Sequence, residues 1–466
     1  MTATSASRSI STAINLTVVR MLGVVLQMLI LLVVGRLTGP QGVGMLQLFN
    51  VWTCILGEFT ASGLPTHAMR RLATRTADRD APATRNFLAA CMQRMALVWL
   101  LVMLALAALL PFLSSDIASD VTGNVAGDAT VVWQGTNGYL LALAIFAFAV
   151  TRLTSDSLKA RSSINTGVLG ESAGPPLVAA LVLLVQWQLN NRIDSGDIIV
   201  AFTTGFVITA LALLACLLAA TRAVPATAAS NMKAQPEASE AAIDMHWQSH
   251  APLWLTALVS IAFLNYPFLV LPHFASMAEV GTFAIAFKLL NLVTTIIVML
   301  AAIYGPRFAR CELTADFQLA RTLLRQSQVV SLVLYLPVVA VMLLSYEHLH
   351  PLFGQGFAGG VKFLGILAIG QGINATCGLT GLMLNMMGQG KTELATIMII
   401  TCIALLLTPW VGATYGAVGI AAIYSGAIAA KNLLSYCLAI RYLNRMQFTP
   451  TIHTPITMAH CPEVSR

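Results

Sequence analysis

The chain has 466 residues, of which 57% are hydrophobic and only 10% charged, with a mean hydropathy of +0.79. Soluble domains carry about 25% charged residues, so this composition excludes a soluble protein and points to an all-α polytopic membrane protein. The net charge of +7 and pI near 9.1 would suit a nucleic-acid partner. However, no stacked-aromatic or groove-reading pattern accompanies the basic residues, and no nucleic acid is expected.

A bilayer core of about 30 Å takes roughly 20 apolar residues per helix. Runs of that kind predict about twelve spans, at 13–35, 44–64, 87–112, 137–155, 169–187, 197–220, 251–272, 281–304, 327–345, 361–386, 393–409 and 416–440. The first 12 residues are polar with one charge, and the apolar run after them is too long for a signal-peptide core, so it reads as a retained span. With the N-terminus inside, 19 of the 26 Lys and Arg fall in inner segments, at 8, 70–85, 152–161, 222–233, 307–325, 391 and 441–466. The outer side keeps Arg36, Arg192 and Lys362. Basic residues concentrate in short cytoplasmic loops, which places both termini in the cytoplasm and supports an even number of spans.

Residues 221–250, rich in Ala, Pro, Ser and Glu without apolar periodicity, read as a linker. It divides the chain into an N-terminal six-helix lobe (1–220) and a C-terminal one (251–440), followed by a cytoplasmic tail (441–466). The lobes repeat one order of features. GRLTGPQGVG ends at Val43 and Gly44, opens an apolar span, and leads to Pro65, Arg70 and Arg71; PHFASMAEVG ends at Val280 and Gly281, opens a span, and leads to Pro306, Arg307 and Arg310. Repeats with an even span count keep one orientation, so their pseudo-twofold axis runs along the membrane normal and two bundles enclose a cavity. The longest outer segment, 113–138, carries Asp116, Asp120 and Asp128 but no His or Cys, and no loop has room for a catalytic domain. The acids there read as solvated charges, and a transporter rather than an enzyme is expected.

Charges inside spans cost about 2.5–3.5 kcal/mol at the helix centre on translocon scales, so they persist where they face protein or water. The candidates are Arg20, Glu58, Arg94, Glu171, Lys288 and Lys431. That set leans cationic. Arg20, Arg94 and Lys431 lie within reach of the inner boundary, where long basic side chains extend to water. Lys288, in FAIAFKLLN, lies about two turns below the outer end of span eight, where the positive-inside bias disfavours it. Glu58 and Glu171 either pair with these bases or take up an H⁺ or Na⁺ that drives transport.

Gly35 and Gly39, Gly412 and Gly416, and the face Gly416, Gly419 and Gly426 read as small-residue helix contacts. Pro175 and Pro176 should break the hydrogen-bond ladder of span five and kink it. The eight cysteines lack ligand or disulfide spacing, and His67, His273, His348 and His350 lie in loops or at span ends, so no metal or other cofactor is expected. GQGKT at 388–392 has Asn385 where a phosphate-binding loop needs its first glycine, and no strand precedes it.

RMLG at 20–23, GRLTGPQGVG at 35–44, AEVGTFAIAFKLLN at 278–291 and YGAVGIA at 415–421, in this order along nearly the whole chain, resemble the polysaccharide transporter or O-antigen flippase family of the multidrug/oligosaccharidyl-lipid/polysaccharide (MOP) exporter superfamily. The resemblance implies two six-helix bundles in the bacterial cytoplasmic membrane. It also implies translocation of an undecaprenyl-pyrophosphate-linked oligosaccharide repeat, for O-antigen, exopolysaccharide or capsule, by alternating access, beside a polysaccharide polymerase and a chain-length regulator. A basic residue in span eight is common in the superfamily, and Lys288 occupies that place. Arg20, Arg94 and Lys431 complete the expected anion-binding set. Lipid II flippases carry a basic residue in span two, where this chain has Gln47 and Asn50. A cation-coupled multidrug extruder of the same fold and a membrane polysaccharide polymerase or ligase stand as alternatives. The first would prefer acidic cavity residues, the second a large outer loop.

Overall fold

The computed structural model describes residues 3–74, 81–120, 135–160, 163–222 and 247–448. The outer-loop Asp128, most of the linker, the tail beyond 448 and Cys461 lie outside the described residues. Everything described between turns is helix. In chain order the helices are α1 (Ala3–Ala61), α2 (Leu64–Thr74), α3 (Ala81–Asp120), α4 (Gly135–Ala160), α5 (Ile164–Ser172), α6 (Gly174–Asn190) and α7 (Ser195–Arg222), then α8 (Trp247–Val270), α9 (Met277–Thr314), α10 (Phe317–Leu344), α11 (Tyr346–Phe353), α12 (Gly360–Cys377), α13 (Thr380–Met386) and α14 (Gly390–Phe448).

Seven of these are long and apolar enough to cross a bilayer, and nine if the bent pairs α5–α6 and α12–α13 each count as one span. Two of the seven, Met21–Ala61 and Gly390–Met446, run 41 and 57 residues, about two to three times what one crossing takes. Each is two spans joined at a single non-helical residue, Gly39 (φ 69°, ψ −166°) or Gly416 (φ 58°, ψ −141°). That backbone region belongs to glycine. Counting both joined helices as two spans, and adding α9 with its apolar stretch from Gly281 to Tyr304, gives the twelve crossings expected. The loops predicted at 36–43 and 410–415 are therefore helix up to the breaking glycine. Gly39 and Gly416, expected in helix-packing faces, instead separate consecutive spans. Gly426 has no atom within 4 Å of where its Cβ would stand, so the predicted small-residue face does not continue there.

The stretch after span two, expected as an inner loop, forms α2, which buries Leu64, Ala68 and Leu72 at helical spacing and sets Arg71 over the Phe87 ring at 4.3 Å. Span five is bent by 46° at Ala173, with Pro175 and Pro176 opening α6. Span ten, expected as one rod, bends by 45° at Gly378.

The halves meet mainly along α1 and α9. Ser276 caps α9 in a reciprocal box with Glu279: the Glu279 amide donates to Ser276 Oγ (3.4 Å) and the Ser276 amide to Glu279 Oε2 (3.2 Å). This start places Gly281 on α1. A Cβ on Gly281 would fall 1.9 Å from the Pro40 carbonyl oxygen, and one on Gly44 would fall 2.2 Å from that of Met277. Each glycine meets the residue four positions before the other, a reciprocity that a pseudo-twofold axis between the repeated Val-Gly pairs requires. At the same end, Gly35 abuts the Phe353 carbonyl and Arg36 Nε donates to the Leu352 carbonyl at 2.7 Å. Behind this seam, Phe268, Phe283, Phe287, Phe363 and Tyr424 interlock with ring centroids 5.1–6.1 Å apart and pack α9 against its neighbours.

Candidate functional site

One cavity of about 280 Å³ opens between the halves at the level of the α5–α6 break. Gln27, Gln47, Asn50 and Cys54 of α1 line one wall; Phe148, Phe202 and Phe206 of α4 and α7 line another. Asn265 and Lys288 enter from α8 and α9. Pro175 and Pro176 also line it. Lacking N–H groups, they cannot bond the Glu171 and Ser172 carbonyls four residues back, and the ladder resumes only with Leu177 N–H donating to Ala173 O at 2.9 Å. Irregular backbone at membrane depth survives where it borders such a cavity.

Lys288 follows Phe287 of the aromatic cluster and lines the cavity together with Gln47, Asn50 and Cys54 of α1. Among the described residues no carboxylate lies within ion-pair distance of it. Glu171 faces the same cavity but is already committed. It pairs with Arg152 and with Lys159, and Ser155 Oγ lies 2.9 Å away. Arg152 also reaches Glu58 at 3.5 Å, and Lys159 donates to Asp156 at 2.9 Å. The five ionisable groups form one continuous chain that runs from Glu171 at the cavity wall, and Glu58, with 6% side-chain exposure, is its most buried end.

Arg152, Ser155, Asp156 and Lys159 recur at the three- and four-residue steps of one helical face. That periodicity is visible in the sequence, where Arg152, inside the span expected at 137–155, and Lys159, just beyond it, also fit the positive-inside count as inner-segment residues. The structure places them within α4.

The remaining candidates lie elsewhere. Lys431 pairs with Glu393, which also accepts from Ser435 Oγ at 2.7 Å, deep between the two spans of α14 and beside Gly381 of α13. Arg94 is half-buried on α3 and does not line the cavity. The Arg20 side chain lies outside the described residues. The cationic tally of four bases against two acids is therefore not a property of this cavity, whose described charged residues are Lys288 and Glu171. The asymmetry survives in another form: among the described residues Glu171 is compensated and Lys288 is not. Among the described residues no group of His, Cys, Asp and Glu could hold a metal ion.

No family model matches the sequence, and no curated protein does. Solved structures do match the fold. An inward-facing multidrug resistance MATE family transporter of the MOP superfamily superposes with a TM-score of 0.74 at 15% identity, covering 94% of this chain and 99% of its own. An outward-facing conformation of such a transporter scores 0.58 at 16% identity, over 94% and 96%. The lipid II flippase MurJ in an inward closed conformation scores 0.65 at 12% identity, over 94% and 90%. The chain is thus a multi-pass membrane protein with the fold of the MOP superfamily transporters.

Proposed function

We propose that the protein is a flippase for a lipid-linked oligosaccharide, undecaprenyl-pyrophosphate being the carrier and the bacterial cytoplasmic membrane the site. The observation that carries this reading is Lys288, a cation on the cavity wall with no carboxylate in ion-pair distance among the described residues. A desolvated ammonium of this kind is stabilised by an anionic ligand, and a pyrophosphate supplies one. The side-chain amides of Gln27, Gln47, Asn50 and Asn265 offer both donors and acceptors to sugar hydroxyls. Phe148, Phe202 and Phe206 offer faces on which sugar rings stack.

The Gly44–Gly281 seam closes one end of the halves, which by the charge count is the outer end. Rocking of the halves about the α1–α9 contact would expose the cavity to each side in turn. A polysaccharide polymerase and a chain-length regulator would act on the product. Either H⁺ or Na⁺ could drive the cycle.

Multidrug extrusion is the second reading, favoured by Glu171 at the cavity and by the MATE fold. Arg152 and Lys159 already neutralise that carboxylate, which leaves little attraction for a drug cation. Deletion of the gene separates the two. The flippase reading predicts loss of surface polysaccharide and lipid-linked repeats trapped on the inner face, with drug susceptibility unchanged. Normal polysaccharide together with drug hypersensitivity would reverse the assignment.

A further inference from the structure

A second pocket, of about 480 Å³, lies between α10 and the last turns of α14, apart from the cavity described above. We propose that it binds the phosphate headgroup of an acidic membrane lipid. Three arginines line it, Arg321 and Arg325 from α10 and Arg441 from α14, together with Gln328, Tyr436 and Asn444. No Asp or Glu lines it, and none of the three arginines forms a salt bridge among the described residues.

The arrangement follows from helical spacing. Arg321, Arg325 and Gln328 fall on one face of α10, and Tyr436, Ile440 and Asn444 on the opposing face of α14. Arg321 is oriented by donating through Nη2 to Asn444 Oδ1, while its Nε is buried without a hydrogen-bond partner. A buried guanidinium N–H without an acceptor is unfavourable, and a phosphate oxygen supplies one. Guanidinium groups match phosphate geometry with paired N–H donors.

The depth of the pocket favours a lipid. α10 begins at Phe317 and α14 ends at Phe448, so Arg321, Arg441 and Asn444 sit in the terminal turns of their helices, where headgroups lie. Leu324, Ile440, Cys437 and Tyr436 continue the wall and suit acyl chains. This end lies opposite the Gly44–Gly281 seam and is the cytoplasmic one by the charge count. Basic pockets between helices on that side bind anionic headgroups.

The test uses the purified full chain in detergent, with native mass spectrometry after addition of cardiolipin, phosphatidylglycerol, phosphatidylcholine or inorganic phosphate. Wild type should retain the two acidic lipids over phosphatidylcholine. Arg325→Gln with Arg441→Gln should weaken retention by about a hundred-fold, each lost charge-assisted contact being worth about ten-fold. Both side chains are exposed, and an unchanged lipid-free melting temperature checks that the variant folds. Arg325→Lys with Arg441→Lys should fall between. Equal retention by wild type and the Gln variant would overturn the proposal, as would phosphate binding without lipid binding. Transport plays no part in this readout, so its outcome is separable from that of the flippase reading.

Discussion

Gly44 and Gly281 meet backbone to backbone: a Cβ on Gly44 would stand 3.1 Å from the Gly281 nitrogen, and one on Gly281 would stand 2.9 Å from the Gly44 nitrogen. Helices α1 and α9 approach so closely there that a Cβ on either residue would collide with backbone of the other helix. Gly281→Ala should therefore destabilise the closed seam by about 1–3 kcal/mol, the usual cost of overpacking. Thermal unfolding in detergent should show a lower midpoint, whereas Gly426→Ala, with open space around it, should leave it unchanged. Equal midpoints for both variants would remove the seam from the account.

The sequence carried this relationship in the repeated Val-Gly at 43–44 and 280–281, because an internal repeat leaves the same small residue wherever its axis passes. Span number was legible for a similar reason, since apolar length is set by the bilayer. The joins at Gly39 and Gly416 were not legible as such: one glycine in a left-handed conformation replaces a loop, and composition does not distinguish it from a packing glycine. The cavity was legible only in part. Lys288 stood out because it is charged far from the inner boundary. Arg152 and Lys159 were hidden because a basic residue near a span end satisfies the charge rule whether it meets water or a buried Glu171. Glu393 went unnoticed at the start of its span, although it neutralises Lys431.

Arg152 bridges Glu58 and Glu171, and its removal strands one carboxylate that is nearly buried. Arg152→Ala should lower stability by about 3–5 kcal/mol, as expected when one partner of a buried pair is deleted. Arg152→Ala with Glu58→Gln should recover part of that loss. Denaturation of the purified variants measures both, and a silent single variant would show that the network contributes nothing.

Lys431 and Glu393 form an ion pair with no further salt bridge among the described residues, which predicts a structural rather than a substrate role. Lys431→Met should reduce the melting temperature, and adding Glu393→Gln should restore most of it, since a neutral pair of similar volume avoids desolvation. Failure of the double variant to recover would show that the fold needs the charged pair itself and contradict this reading.

Orientation rests on the distribution of Lys and Arg. Single cysteines at Asp128 and Ser239 in a cysteine-free background should differ, the first reacting with an impermeant thiol reagent from outside and the second only after the membrane is opened. The reverse pattern would invert the topology and move the Gly44–Gly281 seam to the cytoplasmic end.

The central claim is that Lys288 receives the anionic group of the substrate. The direct measurement is surface polysaccharide in cells whose only copy of the gene carries Lys288→Ala or Lys288→Arg, with membrane levels of each protein matched. The account predicts loss of polysaccharide for Lys288→Ala and partial retention for Lys288→Arg, because the guanidinium keeps the charge but not the shape. Wild-type polysaccharide from the Lys288→Ala cells would contradict it.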